Sequence, residues 1–354
     1  MLHESEVPLW DHYDVALLDL DGVVYVGPDA VPDAPEHLGR AAAAGMRLAY
    51  VTNNAARPPR RVAEHLQALG VPAREEDVVT SAQAAARLLA DRCRPGDPVY
   101  VIGGEGLFEA LTELGLRPVQ SPEDAPVAVV SGYHRDLRWG TVTDGAILVA
   151  SGLPWVASNT DVSVPTPHGP GPGNGVLVEA VARFTGRSPE VAGKPMPPLF
   201  EETVRRVGGQ RPLVVGDRLD TDIEGAARSE LDSLLVLTGV TGLPELVAAA
   251  PQQRPTYLSL DLGGLGEGHP RVEADADGTA RLGGWHAEVR DGAVRVAGDG
   301  DAVDWWRTVA VVAWRHLDAT GERAAVDGLR VPGSVSDGAA GDQPGARPRV
   351  SEVS

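Results

Sequence analysis

Short apolar runs alternate with longer amphipathic segments from residue 14 to about residue 260. Residues 15–18 and 47–51 have the composition of buried strands, and the stretch 58–69 carries its apolar side chains on one helical face before Gly70. Ser81 is placed as the N-cap of an alanine-rich helix that runs to about Asp91. Alternation of this kind is typical of βαβ units and predicts an α/β fold with a mostly parallel sheet.

A second set of strands and helices occupies residues 95–175, with strands near 98–102, 127–130 and 155–157 and helices near 105–114 and 138–150. These elements are enough for a small α/β unit of its own. The Pro- and Gly-rich stretch 165–175 closes it, and the sequence leaves open whether that stretch is a connector or a functional loop. After it the first pattern resumes, with a helix near 175–185 and strands near 213–215 and 233–237.

The character of the chain changes after the Gly-rich residues 262–268. Asp291-Gly292 lies between two short alternating strands, which indicates a hairpin, and residues 304–319 place Trp305 on the apolar face of a helix. The predicted division is therefore a core of residues 12–90 and 180–260, an inserted unit 91–179, an α+β module 269–331 and a disordered tail 332–354.

Composition and charge narrow the classes of partner. Hydrophobic residues make up 43% of the chain and charged residues 23%, an ordinary globular mixture. Lys and Arg together number 31 against 50 Asp and Glu, for a formal net charge of −19. Such a surface repels nucleic acid and anionic lipid, so neither is expected as a partner. A small anionic substrate stays open, because a lysine, a metal ion or a helix N-terminus can reverse the field locally.

The cellular setting follows from what the sequence lacks. A single cysteine, Cys93, excludes an intrachain disulfide and a cysteine-rich zinc site. The first residues carry acids where a secretory signal needs bases, and no apolar run is long enough for a membrane span. A cytoplasmic protein is expected, and association with further copies of the chain is left open.

Unusual polar residues follow the predicted strands, at the edge where α/β sheets collect functional groups. Asp19 and Asp21 come directly after the first strand, and Gly22 allows a sharp turn there. Thr52, Asn53 and Asn54 follow the second, with hydroxyl and amide groups suited to phosphoryl oxygens. Each group alone has a simpler explanation, as an Asp-Gly turn or as a loop or cap.

Two further groups complete the pattern. Lys194 is the only lysine among the 31 basic residues, and it lies between Gly193 and Pro195. Asp217 and Asp222 follow another apolar strand with a spacing suited to Mg²⁺, although such acids also cap helices.

In this order, the DxDGVVY loop at 19–25, the TNN at 52–54, the GKP at 193–195 and the GDxxxTD at 216–222 resemble the four motifs of haloacid dehalogenase-like phosphatases. The roughly 140 residues between Thr52 and Lys194 resemble the branch with a large inserted α/β cap, subfamily IIA, which includes NagD-like, phosphoglycolate and 4-nitrophenyl phosphatases. The resemblance implies a doubly wound, Rossmann-like core and covers about residues 12–260.

The resemblance also implies roles for the motif residues. Asp19 would take the phosphoryl group as an aspartyl-phosphate, and Asp21 would be the general acid and base. Thr52 and Lys194 would bind the transferring oxygens, with Gly22, Asn53 and Asn54 in the phosphate-binding loops. Mg²⁺ would be held by Asp19, the Asp21 carbonyl and Asp217, and Asp222 would support Lys194 or the metal.

The motifs say little about the leaving group, which the cap is expected to read. Candidate cap contacts are His134, Asn159, Asp161 and His168. The residues at 80–83 and 214–226, with the added C-terminal module, are similar to actinobacterial members that act on glycerol 3-phosphate. A small phosphorylated metabolite is therefore expected, glycerol 3-phosphate first, with 2-phosphoglycolate next and a nucleotide, pyridoxal phosphate or broad 4-nitrophenyl phosphate activity after it.

Other classes of protein remain as alternatives. A phosphate-ligand sensor would keep the core idle and use the C-terminal module as its output. A phosphoacceptor receiver domain shares the aspartates and the lysine but lacks the Thr-Asn-Asn element and the inserted unit. No glycine-rich dinucleotide or P-loop motif is found. Metal-dependent turnover would distinguish an enzyme from a sensor.

Overall fold

The chain folds into parallel sheets covered by helices, in a computed structural model that describes residues 2–166, 168–275 and 278–332. The helices are α1 Leu9–His12, α2 Ala34–Ala43, α3 Pro59–Ala68, α4 Ser81–Ala90, α5 Glu105–Glu113, α6 Trp139–Ala150, α7 Asn174–Thr185, α8 Pro198–Val207, α9 Glu224–Arg228, α10 Leu243–Val247 and α11 Ala302–Thr320. The strands are β1 Val15–Leu18, β2 Tyr25–Val26, β3 Asp29–Ala30, β4 Arg47–Thr52, β5 Val78–Thr80, β6 Pro98–Ile102, β7 Arg117–Val119, β8 Ala128–Ser131, β9 Trp155–Ala157, β10 Ser163–Thr166, β11 Gly169–Pro172, β12 Glu190–Val191, β13 Pro212–Gly216, β14 Asp232–Val236, β15 Tyr257–Ser259, β16 Glu273–Ala274, β17 Ala280–Leu282, β18 Trp285–Arg290 and β19 Ala293–Gly298.

The central sheet has six strands in the order β15-β14-β13-β1-β4-β5, all parallel. This order is that of a doubly wound, Rossmann-like fold and confirms the predicted α/β class. Strand β1 is buried along its whole length and lies between β4 and β13. Its last residue, Leu18, pairs with Tyr50 on one side and Val215 on the other, so the loops that follow all three strands leave the sheet together.

A second parallel sheet has five strands in the order β12-β9-β8-β6-β7 and carries α6 and α7 on one face. The predicted end of the inserted unit at residue 179 falls inside α7. Val178 and Val181 of that helix pack against Tyr100 and Trp155, and β12 then pairs with β9. The second sheet therefore extends to Val191. The boundary was placed too early because the apolar pattern of α7 does not reveal which sheet the helix covers.

Helix α4 joins the two sheets through apolar contacts. Leu89 belongs to the same buried cluster as Val51 of the central sheet and Val101 of the second sheet. The N-cap of this helix is Thr80, whose hydroxyl accepts a bond from the Gln83 N–H, and not Ser81. The Ser81 hydroxyl donates to the Asn53 carbonyl instead, at 2.6 Å, so the helix start is bonded to a predicted site loop.

The Pro- and Gly-rich stretch contains an antiparallel hairpin of β10 and β11. Gly173, which follows it, packs so closely on the Asp161 carbonyl that a Cβ there would lie 2.2 Å from the oxygen. The stretch thus connects the second sheet to α7 and also holds the main chain of a candidate site loop.

The C-terminal module is a four-stranded antiparallel sheet, β16 to β19, covered by α11. The predicted hairpin at Asp291-Gly292 is confirmed, and Trp305 and Trp314 are buried in the core of the module. Hydrogen bonds fix α11 to the central domain: Arg307 Nε donates to the Leu258 carbonyl at 3.0 Å, Trp314 Nε1 donates to the Leu246 carbonyl at 2.7 Å, and Arg254 of the core pairs with Asp318. The module therefore packs against β15 and α10 of the core.

Residues 333–354, nearly all of the tail expected to be disordered, lie outside the described residues. Among the helices of the three described ranges, none is both long and apolar enough to cross a membrane.

Candidate functional site

Lys194 lies between two carboxylates at the carboxyl end of the central sheet. Its Nζ donates to Asp19 Oδ1 at 2.6 Å and to Asp222 Oδ1 at 2.7 Å. The side chains of Lys194 and Asp222 are only 4% and 1% exposed. Burial alone would lower the pKa of Lys194, but the two carboxylates outweigh it and raise the pKa, so the ammonium keeps its charge.

Asp217 brings a third carboxylate to the same place. Oxygen atoms of Asp19, Asp217 and Asp222 lie within 4.8 Å of one another. Asp217 is fully buried, and its Oδ1 has no hydrogen-bond partner among the described residues. Burial, together with the charges of Asp222 and Asp19, raises the pKa of Asp217 to about 7. Three acids share one ammonium here, so the cluster has an excess of negative charge and an oxygen free to bind a cation.

The loop after β14 holds Asp217 in this position. Val240 N donates to Asp217 Oδ2 at 2.7 Å, and the Thr241 hydroxyl donates to the Asp217 carbonyl at 2.6 Å. The Thr238 hydroxyl donates to the Gly22 carbonyl, also at 2.6 Å. This loop was not among the site segments predicted from the sequence. It follows a strand of the same sheet, so the rule that drew attention to the other strand ends could have found it.

Gly22 and Asp21 form the turn beside this cluster. Gly22 has a φ of +87°, and a Cβ there would lie 2.5 Å from Asp217 Oδ2, so only glycine fits. The Tyr25 hydroxyl donates to Asp21 Oδ2 at 3.4 Å. Desolvation raises the pKa of Asp21, against the Tyr25 hydrogen bond and the positive charges of Lys194, Arg57 and His65. A carboxyl group with a raised pKa is suited to donate a proton.

Thr52, Asn53 and Asn54 all lie at the end of β4, but their side chains have different partners. Thr52 Oγ1 accepts a bond from Asn54 N at 3.1 Å, and Asn54 Oδ1 accepts one from Ala56 N at 2.8 Å. Asn53 Oδ1 accepts from Lys194 N at 2.8 Å, and its Nδ2 donates to the Lys194 carbonyl at 3.1 Å. The Asn53 amide is therefore engaged with the main chain of Lys194.

The second sheet contributes Asn159 and Asp161 to the same region. Asn159 Nδ2 donates to the Asn53 carbonyl at 2.6 Å, and Asn53 Nδ2 donates to Asp161 Oδ1 at 3.0 Å. Asn174, at the start of α7, donates to the Asn159 carbonyl at 2.7 Å, and its own Oδ1 is buried without a partner in the described part of the chain. A chain of three asparagines thus connects α7 to the loop beside the lysine.

His134 and His168, the other two candidate cap contacts, lie in different surroundings. His134 packs on Gly104, where a Cβ would be 2.6 Å from its Cδ2 and 3.6 Å from the Ala56 carbonyl oxygen. His134 is therefore near the loop that follows Asn54. His168 is exposed at the turn of the β10–β11 hairpin, and its main-chain N–H donates to Thr166 Oγ1.

A polar cleft of about 440 Å³ opens along the segment that follows Asn54. Its lining includes Arg57 and His65 from the core and Glu105 from α5. The His65 ring meets the Tyr25 ring edge to face, with 5.0 Å between the centroids. Tyr25 in turn bonds to Asp21, so two contacts connect the candidate general acid to His65 of the cleft. None of Arg57, His65 and Tyr25 was singled out from the sequence as a site residue.

Two models of known families match the chain. One, described as haloacid dehalogenase-like hydrolase, matches residues 16–117, and the other, described as HAD-hydrolase-like, matches residues 191–265. Both matched ranges contain strand ends that form the cluster described above.

The curated proteins that are similar to this chain include two that are named as phosphatases. The chain is 44% identical over 292 residues to the D-glycerol 3-phosphate phosphatase of Mycobacterium tuberculosis, covering 82% of this chain and 80% of that protein. It is 34% identical to an acid sugar phosphatase of Staphylococcus aureus, covering 71% of this chain and 95% of that protein.

The fold is similar to that of the M. tuberculosis glycerol phosphate phosphatase solved in complex with magnesium, with a TM-score of 0.80, 42% identity, and coverage of 87% of this chain and 92% of that one. A p-nitrophenyl phosphatase from Archaeoglobus fulgidus has a TM-score of 0.66 at 29% identity, with coverage of 72% and 98%.

Proposed function

The chain belongs to the haloacid dehalogenase-like hydrolases, within which it is a phosphatase, and we propose that it hydrolyses glycerol 3-phosphate to glycerol and phosphate with Mg²⁺ as its metal ion. The observation that carries the proposal is the cluster of Asp19, Asp217 and Asp222 around the single lysine. A purely structural ion pair would need one carboxylate for one ammonium, whereas this site has three carboxylates around the single ammonium of Lys194.

The residues of the cluster fit a divalent cation. Asp217 Oδ1 is buried without a hydrogen-bond partner in the described chain, and the excess negative charge raises the pKa of this carboxyl. Asp19, Asp217 and the main-chain carbonyl of Asp21 would hold Mg²⁺, because carboxylate and carbonyl oxygens are its preferred ligands. When bound, the ion would neutralise charge on the phosphate and on the acidic loop. Asp222, with its Oδ1 already bonded to Lys194, would support the lysine.

The other groups around Asp19 have places in a two-step hydrolysis. Asp19 attacks phosphorus and takes the phosphoryl group as an acyl phosphate, while Asp21 gives a proton to the leaving oxygen. Asp21 then removes a proton from the water that attacks the phosphorus of the phosphorylated Asp19, and phosphate leaves. The Lys194 ammonium and the Thr52 hydroxyl bind the transferring oxygens throughout. The Asn53 side chain already bonds to the main chain of Lys194, so its part would be to hold the lysine.

Glycerol 3-phosphate is preferred as the substrate because the M. tuberculosis match, both among curated proteins and among solved structures, is a glycerol phosphate phosphatase by name. 2-Phosphoglycolate and the aryl and sugar phosphates remain the competing substrates. The complete set of catalytic side chains favours an enzyme over a phosphate-ligand sensor with an idle core.

The proposal extends to the organisation of the chain. Residues 12–90 and 192–260 would be the catalytic unit, residues 91–191 the cap that reads the leaving group, and residues 269–331 a module that supports the core. The strongly acidic composition makes nucleic acid and anionic membranes poor partners, and a cytoplasmic location suits a soluble metabolite. A measurement of mass in solution would show whether two copies of the chain associate.

A substrate panel tests this proposal. Phosphate release is measured from glycerol 3-phosphate, 2-phosphoglycolate, 4-nitrophenyl phosphate and nucleoside monophosphates, with Mg²⁺ and with a chelator. The proposal predicts the highest kcat/KM for glycerol 3-phosphate and no release with the chelator. A higher kcat/KM for 2-phosphoglycolate would overturn the substrate, and release that persists in the chelator would overturn the metal.

A further inference from the structure

We propose that Arg57 binds the oxygen-bearing part of the leaving group and thereby selects phosphate esters whose leaving group carries hydroxyl or carboxylate oxygens. The inference rests on the proposed phosphatase activity and deepens it. It assigns specificity to a residue of the central domain, beside the contribution of the cap.

The position of the cleft gives the first argument. Asp21 must reach the oxygen that leaves, so the leaving group has to occupy the space next to Asp21. The Asp21 carboxylate contacts Tyr25, and the Tyr25 ring contacts His65, which lines the same cleft as Arg57. At about 440 Å³ the cleft has ample room for a three-carbon leaving group.

Arg57 is exposed, and its guanidinium is available to a ligand. Arg60 pairs with Glu105 at 3.0 Å and with Glu109 at 2.9 Å, and Arg61 pairs with Glu64 at 3.8 Å. Across the three described ranges of the chain, no hydrogen bond or ion pair is formed by the Arg57 guanidinium. The nearest arginines in sequence thus bind protein carboxylates, and Arg57 keeps all its donors.

The main chain that carries Arg57 is fixed. Ala56 N is bonded to Asn54 Oδ1, and Pro58 restricts the residue before it to an extended conformation. Helix α5 packs tightly on the same segment, since a Cβ at Gly106 would lie 2.5 Å from the Ala55 carbonyl oxygen and 3.1 Å from that of Arg57. The main chain at Arg57 is therefore held in a defined position at the edge of the cleft.

The chemistry of a guanidinium then defines the substrate class. Its planar set of five N–H donors binds two oxygens of a carboxylate or of a diol, and it finds no partner on an alkyl group. Glycerol 3-phosphate offers two hydroxyl groups beyond the ester oxygen and 2-phosphoglycolate offers a carboxylate. Ethyl phosphate offers neither, and it shares only the phosphate with them.

Steady-state kinetics of Arg57→Ala and Arg57→Lys with these three substrates, at saturating Mg²⁺, test the inference. For Arg57→Ala we expect kcat/KM for glycerol 3-phosphate to fall about 10- to 100-fold, the range for losing a charged hydrogen bond, mainly through KM. The values for ethyl phosphate, and inhibition by inorganic phosphate, should change less than twofold. Arg57→Lys should recover part of the loss because it keeps the charge but not the planar donors.

The matched control is Arg183→Ala, which removes an exposed arginine about 13 Å along α7 from Asn174 and changes the net charge equally. It should leave all three substrates unaffected, and thermal unfolding should show that the variants are folded. A larger loss with 2-phosphoglycolate than with glycerol 3-phosphate would support the inference and identify a carboxylate as the group bound.

Equal losses with all three substrates, or no loss, would overturn the assignment of Arg57 while leaving the proposed function intact. Wild-type protein that hydrolyses none of them would overturn the proposed function itself, and the inference with it.

Discussion

The side-chain amide of Asn53 bonds to both main-chain polar groups of Lys194, accepting from its N–H at 2.8 Å and donating to its carbonyl at 3.1 Å. The same amide donates to Asp161 of the loop that follows β9. The main chain of the lysine that touches Asp19 is thus held by one side chain, which also contacts that loop. Asn53 is therefore a positioning residue for Lys194.

Asn53→Ala should lower kcat about 10- to 100-fold, because Lys194 loses the bonds that fix its main chain and its ammonium no longer stays at a defined distance from Asp19. KM should change less than kcat if phosphate binding by the other donors persists. Steady-state kinetics with glycerol 3-phosphate measure both constants.

Asn53→Asp is the sharper variant of this pair. It keeps the acceptor for Lys194 N but loses both Nδ2 donors and places a carboxylate beside Asp161, whose pKa is already raised by burial. Its kcat should be no higher than that of Asn53→Ala. An Asn53→Asp enzyme close to wild type would show that the amide does not position the lysine.

Lys194→Met removes the one cation from a cluster of three acids whose oxygens lie within 4.8 Å of one another. Removing one partner of a buried ion pair typically costs about 3–5 kcal/mol of stability, and here two carboxylates are left without it. Thermal unfolding without metal should show this loss, and saturating Mg²⁺ should restore part of it by binding the folded state. Equal stability of variant and wild type in a chelator would contradict the described ion pairs.

Trp314→Ala tests the link between the C-terminal module and the site. Trp314 is buried and donates to the Leu246 carbonyl of α10, the helix that follows the loop bonded to Asp217. Truncating a buried tryptophan typically costs about 3–5 kcal/mol, and we expect the dissociation constant for Mg²⁺, measured by calorimetry, to rise as well.

The control for this variant is Trp139→Ala, since Trp139 is 76% exposed on α6. It should change stability by less than about 0.5 kcal/mol. Loss of stability in Trp314→Ala with an unchanged Mg²⁺ constant would show that the module stabilises the core without reaching the metal site.

His269 predicts how stability depends on pH. Its ring is buried, with Nε2 against the Gly264 carbonyl and Nδ1 against Arg307 Nη2, and burial together with the Arg307 charge lowers its pKa to about 4. Below about pH 6.5 the His269 imidazole is protonated in the unfolded chain, whereas in the folded chain it stays neutral down to about pH 4. The contribution of His269 to the free energy of unfolding is therefore complete above pH 6.5 and falls by about 3 kcal/mol as the pH drops to 4.

Denaturant unfolding at pH 7.5 and pH 5.0 measures this effect. His269→Gln should flatten the difference between the two pH values, whereas His168→Gln, at an exposed hairpin turn, should leave it unchanged. A wild-type protein whose stability does not fall between these pH values would contradict a buried neutral His269.

The sequence predicted the central sheet well because its strands are buried on both faces and end at polar residues. Asp19 and Asp217 follow β1 and β13, and Thr52 ends β4. These strands are neighbours in the sheet, so the rule for strand ends places all three residues at the same edge. The predicted boundary at 179 lies inside α7, because that helix has the same apolar pattern whichever sheet it covers. Ser81 was misplaced as a cap because Thr80 has an equally suitable hydroxyl.

Other features could not be predicted because they depend on distant parts of the chain. Asn53 and Lys194 are 141 positions apart, and nothing in a Thr-Asn-Asn triplet shows that its middle residue bonds to the main chain of another loop. Arg57 is likewise one arginine among many. Arg57 differs from Arg60 and Arg61 because those two arginines form ion pairs with protein carboxylates. The sequence does not show these ion pairs.

The most direct test of the central claim is phosphate release from glycerol 3-phosphate by Asp19→Asn beside the wild type, at saturating Mg²⁺. The variant keeps the size of the side chain but removes the nucleophilic carboxylate that faces Lys194. We expect kcat to fall by at least about 10⁴-fold, to the limit of detection, while the wild type turns over and stops when the metal is chelated. An Asp19→Asn protein that retained a substantial fraction of wild-type kcat would show that the phosphoryl group does not pass through Asp19.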